Sequence, residues 1–82
     1  MTMTPLTARQ KEFCFDFGRR LANRRQALGL SRPKLAGIVD VHPKSIKGWE
    51  RGSSTVNAYA LAKLAGALET TADALLGLTT EE

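Results

Sequence analysis

The side chains of this chain with the longest chemical reach are cations. Lys44 and Lys47 stand three residues apart with Ser45 between them, and Arg51 follows one helical turn later. On one helix face, with no acid between them, two ammonium groups can donate hydrogen bonds to an anion, and the serine can donate or accept. No nucleophile is supported in the same way. There is one His (His42) and one Cys (Cys14). The sequence shows no Ser/His/Asp set, no Gly-rich phosphate loop and no carboxylate pair with a pocket around it, so no catalytic residue is assigned and an enzyme is not expected. One His and one Cys cannot supply the ligands of a structural zinc site. No metal and no cofactor are expected, and Cys14 reads as a half-buried apolar filler.

The chain has 82 residues, 43% of them hydrophobic. That is one small domain with enough apolar side chains for a core, although a chain this short buries only about 60% of its unfolded surface. A single Cys excludes an internal disulfide framework and points to a reducing compartment. No apolar run approaches the roughly 20 residues of a membrane span, and no signal-peptide pattern precedes the first charges. The expected location is cytoplasmic, with no membrane partner. The net charge of +4 is unevenly spread: residues 1–52 hold eleven basic and four acidic side chains, residues 53–82 one basic and four acidic. A basic half joined to an acidic half suits one face for a polyanion. Charge alone does not separate such a face from a solvated basic surface.

Five helices must position these residues. The first is capped at Thr7, with Gln10 at capping-box spacing, and carries Phe13, Phe17, Leu21 and Leu28 on one face up to Gly29. Gly18 in its interior costs about 1 kcal/mol relative to alanine, so the helix is expected to be weak or bent there. Phe15 falls on the opposite face. Ser31 caps a short second helix with Leu35, Ala36 and Val39 inward, and Asp40-Val41 turns into the third. His42 is the N-cap of that third helix and Pro43 its first residue, a position proline favours. Ile46 and Trp49 point inward, leaving Lys44, Ser45, Lys47 and Gly48 outward. After the Gly52-Ser53-Ser54 loop, Leu61, Leu64, Ala65 and Leu68 mark a fourth helix over residues 56–68. Thr70 or Thr71 caps a last short helix through Leu75 and Leu76 to Gly77. Residues 78–82 are expected to fray.

Two short helices joined by a tight turn and flanked by three others resemble the helix-turn-helix of phage repressors and Cro proteins, the XRE-like family. The resemblance is carried by Gly29-Leu30-Ser31 with Leu35-Ala36, by Ile46 with Trp49-Glu50-Arg51-Gly52, and by Leu61, Leu64-Ala65, Leu68 and Leu75-Leu76. It covers Phe17 to Gly77. It implies an all-α, five-helix lambda-repressor-like DNA-binding domain at residues 17–77, preceded by an N-terminal extension (1–16) that continues into the first helix. The family places its third helix in the major groove of double-stranded DNA. Carried over, Pro43, Lys44, Ser45, Lys47 and Gly48 lie near base edges, with Lys44 able to donate to guanine O6 and N7. Ser31, Arg32, His42, Arg51, Ser53 and Ser54 lie near phosphates. Arg25 and Glu50 match a pair that fixes the angle between helices and does not read DNA.

Several positions depart from the family pattern. Asp40 and Glu69 stand where glycine is common, and glycine accepts the left-handed conformation more readily. Arg32 replaces the usual glutamine at the start of the second helix. Gly48 offers no side chain where relatives often present one, so with Pro43 the reading face has few donors. The extension and Phe15 could assist a dimer. The resemblance implies a sequence-specific transcriptional regulator of repressor or Cro type, a homodimer on a two-fold symmetric operator, nucleoid-associated in a bacterial host. Regulation would come from concentration, self-association or a regulatory partner protein. The alternative is a protein–protein interaction module on the same fold, such as an antitoxin or adaptor; apolar outward positions on the third helix would mark it, and Lys44, Ser45 and Lys47 argue against it.

Overall fold

The computed structural model describes residues 6–78. Its elements are α1 (Ala8–Ala27), α2 (Arg32–Val39), α3 (Pro43–Arg51), α4 (Ala58–Ala67) and α5 (Ala72–Leu76). The described residues contain no strand, and the architecture is all-α as the sequence implies. Local side chains start each helix. Thr7 Oγ1 accepts from the Gln10 N–H at 3.1 Å, and Gln10 Oε1 accepts from the Thr7 N–H at 2.7 Å, a complete capping box. Ser31, His42, Asn57 and Thr71 each accept a backbone N–H at the start of α2, α3, α4 and α5. Such caps satisfy donors that the first helical turn otherwise leaves without partners.

The core gathers Phe17 and Leu21 of α1, Leu35, Ala36 and Val39 of α2, Ile46 and Trp49 of α3, Ala60, Leu64 and Ala65 of α4, then Leu68 and Leu75. Each fully buried Leu or Ile there contributes about 1.5–3 kcal/mol relative to exposure. α3 lies against α1 and α2, so the helix that carries Lys44 and Lys47 is held from two sides.

Several sequence expectations need correction. Phe13 is 48% exposed and outside the core. With Cys14, Phe17, Val56, Leu61 and Leu76 it lines an open apolar groove of about 380 Å³. Cys14 itself is buried, at 7% exposure, not half-buried. α4 begins at Ala58, two residues later than expected, because Asn57 is extended and its Oδ1 captures the Ala60 N–H at 2.8 Å, which leaves Val56 before the helix. Of the two threonines expected to cap α5, Thr71 is the one that does so. α1 runs unbroken through Gly18, which lies against the backbone of the last turn of α3. A Cβ there would run into the carbonyl oxygens of Trp49 and Glu50. Asp40 (φ 60) and Glu69 (φ 56) both adopt the left-handed conformation that their positions imply. The extension before residue 6 and the tail after residue 78 lie outside the described residues.

Candidate nucleic-acid interface

α3 has a sharply divided surface. Ile46, Trp49 and Glu50 are buried, whereas Pro43, Lys44, Lys47 and Arg51 are exposed and Ser45 and Gly48 are half-buried. Its outward face therefore carries two lysines and an arginine, while its one acid is turned inward. Both ion pairs among the described residues end on that acid, so Lys44, Lys47 and Arg51 make none.

His42 Nδ1 accepts from the Lys44 N–H at 3.1 Å. That bond caps α3 and leaves Nε2 as the edge able to meet a ligand. Ser31 has a similar place at α2, where Oγ accepts from the Lys34 N–H at 3.1 Å. At the far end of α3 the chain folds back on itself. The Ser53 N–H and Oγ–H both donate to the Gly48 carbonyl, at 3.0 and 3.2 Å. A Cβ at Gly48 would stand 2.9 Å from Ser54 Oγ. The missing side chain of Gly48 thus makes room for the Ser53-Ser54 loop, which brings the two hydroxyls beside the outward face of α3. The sequence gives only half of this, the lack of a donor at Gly48.

Behind α3, Glu50 holds two arginines. Arg25 Nε donates to Oε2 at 2.6 Å and Nη2 to Oε1 at 3.1 Å, while Nη1 donates to the Leu30 carbonyl at 2.8 Å. Arg32 Nε donates to Oε1 at 2.8 Å. The Glu50 side chain is 2% exposed and that of Arg32 is 41% exposed. Burial alone would push the Glu50 carboxyl up. The hydrogen bonds and charges of Arg25 and Arg32 outweigh burial and hold it below the usual carboxylate range. The Arg25–Glu50 pair joins the end of α1 to the end of α3, as the resemblance implies.

The bond from Arg32 was not foreseen. Its signal was a second arginine, at the start of the helix preceding α3, with no acid nearby in sequence. Arg24, one of the eleven cations of the basic half, is also held inside the fold. Its Nε donates to the Leu68 carbonyl at 2.8 Å and its Nη2 to the Glu69 carbonyl at 3.1 Å, capping the end of α4.

Among the described residues no group of three or more His, Cys, Asp or Glu is placed to hold a metal ion. No helix among them is long and apolar enough to cross a membrane.

Residues 16–78 match the family model described as a helix-turn-helix domain. No curated protein matches the sequence. Among solved structures, the restriction-modification controller protein C.AhdI from Aeromonas hydrophila is 35% identical, with a TM-score of 0.73 over 76% of this chain and 94% of that one. The P22 c2 repressor, solved in complex with a synthetic operator, is 32% identical, with a TM-score of 0.73 over 77% and 96%. The clp gene regulator ClgR from Corynebacterium glutamicum is 26% identical, with a TM-score of 0.76 over 90% and 72%. The family match spans most of the chain, and the protein belongs to the helix-turn-helix family of repressor and Cro type, whose members are non-enzymatic DNA-binding transcription regulators.

Proposed function

We propose that this protein is a repressor- or Cro-like regulator that binds a two-fold symmetric operator as a homodimer. α3 enters the major groove with Pro43, Lys44, Ser45, Lys47 and Gly48 toward base edges. Ser31, Arg32, His42, Arg51, Ser53 and Ser54 meet phosphates on either side. The observation that carries this is the division of α3: its cations face out without partners while its acid is buried. Lys44 is the main base reader, since an ammonium donates to guanine O6 and N7. In the Gly52-Ser54 loop the N–H groups of Gly52 and Ser53 and the Ser53 hydroxyl are committed to carbonyls at the end of α3, so the Ser54 N–H and hydroxyl are the donors that suit phosphate oxygens. That a structural relative was solved in complex with a synthetic operator supports DNA as the partner.

Fluorescence anisotropy with a labelled duplex, at several salt concentrations, tests the reading. Each neutralised phosphate releases counterions, so affinity falls steeply as salt rises. Binding that is absent at low salt, or indifferent to salt, would contradict it.

A further inference from the structure

Glu50 accepts three hydrogen bonds from two guanidinium groups. One carboxylate faces two positive charges, so the junction of α2 and α3 keeps one cation in excess. That excess belongs to Arg32. Arg25 is buried and has Nε and both terminal nitrogens engaged, whereas Arg32 is anchored through Nε alone and its side chain is 41% exposed. The two terminal nitrogens of Arg32 donate to no group among the described residues. They form the edge of the guanidinium that binds phosphate bidentately.

We infer that Arg32 is a phosphate clamp oriented by Glu50: its Nε is fixed on the buried carboxylate, and its terminal edge is thereby presented to the DNA backbone. This rests on the DNA-binding reading above and adds a role to Glu50, which becomes a positioning residue for a DNA contact besides joining α1 to α3. A side chain held in its bound conformation loses less freedom on binding. Lysine could not do the same, because a single ammonium cannot hold Nε-like contact with Glu50 while offering a planar fork to a phosphate.

The test uses the full chain and a labelled mixed-sequence DNA duplex, with Kd measured across a range of salt concentrations. Arg32→Ala should reduce the magnitude of the log Kd against log salt slope by about 0.9, the value for one lost phosphate contact. Arg32→Lys keeps the charge and should keep the slope, yet bind about two- to tenfold more weakly at any one salt concentration. Glu50→Gln should weaken binding by a similar factor at unchanged slope, and the double variant Arg32→Lys with Glu50→Gln should lose no more than either of these two single variants, because both remove the same orientation. Circular dichroism at the assay temperature establishes which variants are folded; if Glu50→Gln is not, the two Arg32 variants decide alone. Arg32→Ala with a lowered melting temperature and a wild-type slope would show a purely structural arginine and overturn the inference. Arg32→Lys indistinguishable from wild type would also overturn it, leaving an ordinary surface charge. Wild-type protein that binds no duplex at low salt overturns the DNA-binding reading and this inference together.

Discussion

Alanine at Gly18 gives opposite signs when judged from the sequence and from the packing. Within an isolated helix, Gly→Ala stabilises by about 0.8–1 kcal/mol. In this fold the new methyl group would overlap two carbonyl oxygens, those of Trp49 and Glu50. These are backbone atoms of the last turn of α3, so no side-chain rotation relieves the clash. α3 must move away from α1, which strains the Trp49 packing and the Arg25–Glu50 bonds at 2.6 and 3.1 Å. Overpacking of a well-filled interior typically costs about 1–3 kcal/mol and sometimes more. With two backbone atoms involved, the upper part of that range applies, and it outweighs the propensity gain. The net expectation is destabilisation of about 1–2 kcal/mol, or a melting temperature lowered by roughly 4–16 °C for a domain of this size. Gly37 and Gly66 supply controls inside α2 and α4, since a Cβ at either meets nothing within 4 Å. Gly37→Ala and Gly66→Ala should each stabilise by about 0.5–1 kcal/mol. Thermal unfolding followed by circular dichroism reads all three. A Gly18→Ala variant as stable as the two controls would refute the close approach of α1 to α3.

Further outcomes follow from the same contacts. Glu50 has a lowered pKa in the folded chain, so its contribution is complete above the unfolded carboxylate value of about 4.3 and is lost as pH falls through the lower folded value. Urea unfolding between pH 7 and pH 2 should therefore show a drop below about pH 4.3, and the drop should be smaller in Glu50→Gln. Glu50→Ala leaves Arg25 buried without its carboxylate and should cost about 3–5 kcal/mol at neutral pH, again measured by urea unfolding. Glu69→Gly replaces a left-handed residue whose side chain makes no hydrogen bond among the described residues. It should raise stability by about 0.5–1 kcal/mol, the relief of backbone strain less the added freedom of the unfolded chain. Lys44→Ala should weaken a specific site by about 1–3 kcal/mol with folding nearly intact; an equal loss on specific and random duplexes would show that Lys44 touches only phosphate.

The helices and most of the core were legible because their signals are local. Thr7 with Gln10, Ser31, and His42 with Pro43 announce three helix starts, and each accepts the expected backbone N–H. Ile46 and Trp49 are buried as their spacing requires. The errors lie where an answer depends on a remote segment or a competing cap. Phe13 is in register with Phe17 and Leu21, but its turn of α1 extends past the core and only lines the groove beside α4. Val56 continues the apolar pattern of α4, yet Asn57 starts the helix after it. Nothing local to Gly18 reveals that residues 49 and 50 lie against it. Arg32 and Glu50 are 18 positions apart, and only the angle between α2 and α3 makes them partners. At the candidate interface, the exposed cations of α3 were legible. The return of Ser53 and Ser54 over Gly48 was not, since it is fixed by bonds to the Gly48 carbonyl.

Selection from a random duplex library by the full-length protein, with competitor DNA present, tests the central claim most directly. A dimer that places α3 of each protomer in successive major grooves should enrich an inverted repeat with half-site centres about 34–36 Å apart, or a multiple of that spacing. The enrichment should weaken in Lys44→Ala. Recovery of single, unpaired sites, or of no sequence above the starting pool, would contradict a two-fold operator read by α3.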